Sequence, residues 1–416
     1  MDFSSPIVLS AIGLILARWA AEGWLDRLNE RHVQKHSGKL PRGLAGVMGD
    51  ATYARSVAYT LAKSRFGAME NLVDTVILLA ALLSGALPWL FERGAHLLGG
   101  SAWSNAAYLV VVMLSLAAIR LPLDWIAQFR LEERFGFNKN TQRTWWLDRI
   151  KGAGLLIVLL LPVFALLLKL IDWAGAAWWI WGWASLLGIQ FLMMVLAPVL
   201  ILPLFNKFTP LDDGPLKDRL MALAERAKFD AREIQIMDGS RRSGHSNAFF
   251  TGFGKGRRIV LFDTLIEQLN GEELEAVLAH EIGHYKRRHI VKMLAFSAVS
   301  MLLGFWVLAR LADYEPFAAA FGFEAANPTP SFLLFGLLSG SVEFWFSPLM
   351  NCLSRKHEYE ADAYAKEIVG ASRPLSDALR KLHEKNLGNL TPHPAYSGFH
   401  YSHPTLLERE AALAKA

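Results

Sequence analysis

Cysteine is almost absent from the 416 residues. Cys352 stands alone, so no disulfide can form within the chain. Beside an apolar stretch it reads as a small hydrophobe rather than a nucleophile. Charge is scarce too: only 19% of residues are Asp, Glu, Lys or Arg, against 53% hydrophobic. With a mean hydropathy of +0.26, that balance excludes an ordinary soluble enzyme. Low-complexity runs, internal repeats and nucleic-acid motifs are missing, so nucleic acid is not an expected partner. The start Met1-Asp2-Phe3 has no basic n-region, so the first apolar stretch is expected to stay as an anchor rather than leave as a signal peptide.

What the chain does have is long apolar runs. Seven are long enough to cross a bilayer: Pro6–Ala21, Leu72–Phe91, Ala102–Ile119, Gly152–Leu170, Ala176–Leu204, Val291–Leu311 and Ser331–Met350. The fifth is expected to tilt or break at Pro198 and Pro203. Basic residues crowd alternate connections. Arg27 to Arg65 supply eight between spans one and two, and Arg120 to Lys151 seven between three and four. Arg93, Lys169 and Arg310 are the only bases in the others, apart from the long basic segment after span five. By the positive-inside rule this segment, 205–290, and the C-terminal tail face the cytoplasm. Glu70, Asn71, Asp74 and Glu343 fall in or beside spans, where polar groups line a watery chamber or pair between helices.

Residues 205–270 read as a soluble α/β insert. Pro215–Ala227 is an amphipathic helix, and Glu233–Met237, Ser246–Phe250 and Arg258–Phe262 read as strands. The glycine-rich run Thr251–Gly256 between two of them lacks the GxxxxGKS/T pattern, so it predicts a hairpin turn rather than a phosphate loop. The expected fold is mostly α: a polytopic membrane protein carrying a small α+β domain with a short sheet.

Leu278-Ala279-His280-Glu281-Ile282-Gly283-His284 carries an H-E-x-x-H pattern. Asn270 with Glu273 makes a capping box in front of it, so the motif sits on a helix. His280 and His284, four apart, share one helical face and can aim two imidazoles at one metal, with zinc expected. Glu281 beside them could take a proton from a water held there. A third protein ligand is needed. Ser354–Ala363, after span seven, offers His357, Glu358, Glu360 and Asp362. Glu358 and Asp362 share a face, one as ligand and one accepting an N–H from a ligand histidine, but spacing alone leaves all four open.

Motifs along nearly the whole chain resemble the type 1 CAAX prenyl protease family of membrane zinc metalloproteases. They include Lys63–Gly67, Glu132–Lys139, Pro203–Leu211, Asp238–Ser240, His245–Phe249, Arg258–Leu265 and Tyr401–Arg409. The resemblance implies a ring of seven membrane helices around a water-filled chamber, with a zincin-type (gluzincin) protease domain. Its division would be an N-terminal membrane domain of about five spans, 1–205, and a protease domain, 206–416, that includes spans six and seven. It implies one Zn²⁺ per chain on His280, His284 and Glu358, Glu281 as catalytic carboxylate and Asp362 as supporting acid. His403 and Arg409 would lie near the active site, toward a substrate carbonyl or oxyanion. Ser246, Asn247, Ala248 and Phe249 would form an edge strand that pairs with the substrate. The implied partners are the bilayer and a peptide or protein substrate able to carry a lipid, whose prenylated C-terminal tripeptide is trimmed. The enzyme is expected to act as a monomer.

Two departures point to a bacterial inner-membrane relative, to which the protease chemistry carries over further than the CAAX substrate does, membrane-protein quality control being the other expected role. Tyr285 replaces the usual Trp, and Leu413–Ala416 lacks a dilysine-type retention signal. Rival classes are a non-enzymatic scaffold or chaperone with a structural zinc and a transporter with a zinc-bearing domain. The intact Glu281 argues against the first and the lack of repeat symmetry against the second.

Overall fold

The computed structural model describes residues 2–38, 40, 47–252, 257–324 and 327–415. Six helical stretches in it are long and apolar enough to cross a membrane: Pro6–His36, Asp50–Leu83, Ala102–Phe135, Gln142–Phe205, His289–Ala312 and Thr329–Val369. The fourth has 64 residues, about 96 Å if straight, far beyond a bilayer core of about 30 Å. It is a hairpin. Helix Gln142–Ala174 ends at Gly175, whose φ is +50°, and Trp178–Leu196 returns alongside. Gly182 on the returning arm sits against Leu167 of the outgoing one. The seven stretches expected from the sequence count these arms separately.

Boundaries moved where hydropathy averaged over a break. The second span begins at Asp50 and stops at Leu83; Gly85, at φ +76°, starts a separate helix Ala86–Leu98, which holds the predicted end at Phe91. The break expected in the fifth span is a π-helical turn, Ala197–Ile201, beside Pro198. The seventh passes through a 3₁₀ turn, Phe344–Phe346, straight into helix Ser347–Val369, hereafter the acidic helix.

The charge alternation has a spatial counterpart. The basic connections meet at one end: Tyr59 Oη donates to Glu132 Oε1 at 2.8 Å, Arg242 pairs with Asp148 at 2.8 Å, and Ser56 Oγ donates to Gly388 O at 2.7 Å. The poorly charged ones meet at the other, where Phe91 lies 6.0 Å from Phe323 and Trp178 5.3 Å from Phe332, ring to ring. Each end has its own hydrophobic core. One joins Val33, Tyr53 and Val57 to the soluble insert; the other packs Val8, Ile15, Leu82, Leu109, Leu167 and Phe305. Between them the spans are largely unburied, and polar groups face one another. Arg120 reaches Asp74 at 2.7 Å and Glu70 at 3.6 Å, and Gln190 donates to Ser297 at 3.3 Å. The partners these groups find in one another are what charges at that depth need.

The insert forms a four-stranded sheet in the order β1 (Phe208–Pro210), β2 (Ala231–Met237), β4 (Arg257–Phe262), β3 (Ala248–Thr251). β2 and β4 are parallel, and the other pairs antiparallel. β1 had no counterpart in the sequence reading, being three residues long. The predicted strand from Ser246 starts two residues later: Ser246 and Asn247 precede it, and Asn247 Oδ1 accepts from Ala248 N at 2.8 Å. Four residues of the predicted turn, 253–256, lie outside the described residues. Helix Pro215–Arg226 buries Leu220 and Leu223 against Ile234, Ile259 and Leu278. Each such side chain contributes about 1.5–3 kcal/mol by leaving water.

Candidate active site

Helix Gly271–Lys286, the histidine helix, starts at the anticipated cap. Asn270 Oδ1 accepts from Glu272 N and Glu273 N at 3.0 Å, while Glu273 Oε2 accepts from Asn270 N at 2.9 Å. Leu274, Leu278 and Ile282 fix one face in the core. Gly283, with no side chain, allows the helix to approach the acidic helix at Ala361. That crossing brings the two ligand-bearing stretches together.

Among the described residues, His280, His284 and Glu358 form the group whose ligand atoms all lie within 4.8 Å of one another. The Nε2 atoms of His280 and His284 are 3.2 Å apart. His280 Nε2 is 3.5 Å from Glu358 Oε2, and His284 Nε2 is 3.3 Å from Glu358 Oε1. Four ligands about 2.0–2.1 Å from a tetrahedral zinc stand about 3.3–3.4 Å apart, so the triangle has the size zinc requires. Glu358 Oε2 is buried, with His403 Nδ1 2.8 Å and His280 Nε2 3.5 Å away. A buried carboxylate facing two imidazole nitrogens is a donor set that a cation satisfies. The donor set therefore fits the metal.

The acidic helix points two more groups at this cluster. Asp362 Oδ1 is 2.8 Å from His280 Nδ1, and Arg409 Nε donates to Asp362 Oδ2 at 2.8 Å. Burial disfavours the charged form of His280, but Asp362 and then Glu358 outweigh it and hold the imidazole's pKa up at about 9. Burial pushes the Glu281 carboxyl up, against the pull of His280 and His284. Arg409 is buried and committed to Asp362, whereas His403 is exposed on its loop. Arg355 holds that loop by donating to Tyr401 O at 2.7 Å and Gly398 O at 3.2 Å.

Glu281 and His284 line a cavity of about 560 Å³ together with Phe249 and Phe250 of β3 and Met194, Ile290 and Met293 from the spans. β3 is the last strand of the sheet. The cavity thus joins a carboxylate, a strand edge and an apolar wall facing the membrane helices. Of the predicted strand residues, Phe249 lines it, Ala248 is buried, and Ser246 and Asn247 sit on the approach to β3.

His289 was missed. Its Nδ1 lies 3.0 Å from His284 Nδ1 and its Nε2 3.0 Å from Glu360 Oε2. The chain turns at Arg288, whose φ is +56°, so helical spacing from His284 carries no signal for this contact.

The comparisons agree along the whole chain. A family model described as "CAAX prenyl protease N-terminal, five membrane helices" matches residues 29–207, and "Peptidase family M48" matches residues 210–416. CAAX prenyl protease 1 of Saccharomyces cerevisiae is 37% identical, over 98% of this chain and 95% of the relative. The Homo sapiens homolog is 33% identical, over 96% and 94%. The crystal structure of S. mikatae Ste24p superposes with a TM-score of 0.93 at 34% identity, covering 99% of both chains.

Proposed function

The chain belongs to peptidase family M48 and is an integral-membrane zinc metalloprotease, and on that premise we propose which residues perform the reaction. His280, His284 and Glu358 hold one zinc ion. The observation that carries this is their triangle of donor atoms, 3.2 to 3.5 Å on a side, with a buried carboxylate at one corner. Zinc, when bound, polarises a carbonyl and lowers the pKa of water toward about 7.

Glu281 takes the proton from the attacking water and delivers it to the leaving amine nitrogen as the C–N bond breaks. Its place beside both histidines on the cavity wall suits both steps. Asp362 fixes His280 by accepting its Nδ1–H, and Arg409 holds Asp362 in place rather than contacting substrate. His403, exposed beside Glu358, is the group free to meet the scissile carbonyl. The substrate backbone pairs with the free edge of β3, supported by Ala248 and Phe249, with Ser246 and Asn247 at its start.

The apolar wall of Phe249, Phe250, Met194 and Met293 favours a peptide with an apolar or lipid-modified side chain near the cleaved bond. A prenylated C-terminal peptide has that chemistry. We read the protein as a monomer with its site at the cytoplasmic face of a bacterial inner membrane. We retain 1–205 and 206–416 as its membrane and protease halves.

The test is cleavage by the whole protein in liposomes. Turnover should vanish with a chelator and return with zinc, and a farnesylated peptide should exceed its unmodified counterpart in kcat/KM. Chelator-resistant turnover would overturn the metal reading, and equal rates on the two peptides the lipid preference.

A further inference from the structure

We propose that His289 and Glu360 form a relay behind His284 that fixes the tautomer and ring orientation of this ligand, a role that rests on the zinc reading above. The evidence is a chain of two contacts, each 3.0 Å: His284 Nδ1 to His289 Nδ1, and His289 Nε2 to Glu360 Oε2.

Only one placement of protons satisfies both. His284 Nε2 points into the donor triangle and must offer a lone pair there, so its proton sits on Nδ1. The atom opposite, His289 Nδ1, must therefore accept. A neutral His289 then carries its proton on Nε2, the atom facing Glu360 Oε2, and a carboxylate only accepts. Every link has one donor and one acceptor, and the carboxylate at the end dictates the tautomer of both rings. His280 is backed directly by Asp362; His284 is backed through an intervening ring.

Other neighbours hold the relay still. His357 stacks on His289 with centroids 4.1 Å apart and planes 16° from parallel. Lys292 Nζ lies 3.4 Å from the same Glu360 oxygen and faces it from the helix that carries His289. His289 is buried while Glu360 is partly exposed, so the relay runs from the metal position to the surface. Glu360 and His357, two candidates for the third ligand on spacing alone, thereby acquire places behind the other histidine.

The test is zinc affinity of the purified full chain, by competition with a chromophoric chelator, with the cobalt(II) absorption spectrum as a second readout. Wild-type affinity, measured first, tests the metal site itself; the variants tested against it report on the relay. His289→Phe keeps the stacked volume and removes both hydrogen bonds, and it should weaken zinc about 10- to 100-fold and alter the cobalt spectrum. His289→Gln can accept from His284 and donate to Glu360, and should restore most of the affinity. Wild-type affinity in His289→Phe, or equal loss in Phe and Gln, would overturn the relay. Should the buried site not tolerate Phe, Glu360→Ala on the exposed side is expected to weaken zinc about tenfold, and unchanged affinity there would equally overturn it.

Discussion

Gly283 lies so close to Ala361 that a Cβ built on the glycine would come within 3.0 Å of Ala361 Cα and 3.1 Å of its carbonyl oxygen. This contact sets the crossing of the histidine and acidic helices, and hence the separation of His280 and His284 from Glu358. In an unhindered helix, Gly→Ala stabilises by about 1 kcal/mol. Here backbone, not a flexible side chain, meets the new methyl, so overpacking wins. Gly283→Ala should lower stability by about 1–3 kcal/mol and weaken zinc binding. Thermal denaturation with and without zinc checks both, and a net gain in stability would contradict the reading.

Glu281→Gln preserves size and hydrogen bonding but cannot take a proton. It should keep the metal at wild-type stoichiometry and lose hydrolysis by at least about 100-fold, the scale of a positioned general base. Zinc content by atomic spectroscopy beside the turnover rate separates this from a damaged site. A zinc-replete variant with ordinary turnover would remove Glu281 from the mechanism.

Arg409 and Asp362 are both buried, and removing Arg409 leaves Asp362 with His280 as its remaining partner. Arg409→Met is expected to cost about 2–3 kcal/mol, more than a surface ion pair could. It should also loosen His280, whose Nδ1 rests on Asp362. Chemical denaturation of the chelated and zinc-loaded proteins measures the two effects, with the larger loss expected for the loaded form.

Metal affinity should depend on pH with a definite sign. Without metal, His280 holds a proton up to about pH 9, and a zinc ligand must release it. Apparent affinity therefore rises as pH approaches about 9 and falls on acidification, by up to about tenfold per unit. Competition titrations between about pH 6 and 9 read this slope directly. A flat profile would mean that the carboxylates do not hold that proton.

Much of this architecture is legible in the sequence because membrane spans and a capped amphipathic helix are written in local periodicity. Leu274, Leu278 and Ile282 recur at helical spacing, and Asn270 with Glu273 announces the start. What local pattern cannot convey is set by partners distant in the chain. The start of β3 at Ala248 follows its pairing with Leu261, which hydrophobicity around Ser246 does not encode. The end of the second span follows from one left-handed glycine, Gly85, inside an otherwise apolar run. His357, Glu358, Glu360 and Asp362 are equivalent by spacing, and only the helix crossing turns Glu358 and Asp362 toward His280 while Glu360 meets His289. Membership of a protease family agrees with Glu281 and the lack of repeat symmetry in setting aside the scaffold and transporter alternatives.

The helical stretch Thr329–Val369 carries Glu358, and His289–Ala312 begins three residues after the histidine helix ends. Each half of the donor triangle is thus mounted on its own membrane rod. Glu358 stands 29 residues along the longer one, about 44 Å, so a tilt of about 2° about its far end would move the carboxylate by about 1.5 Å. The packing of Gly283 on Ala361 is what holds the two rods in register at the site.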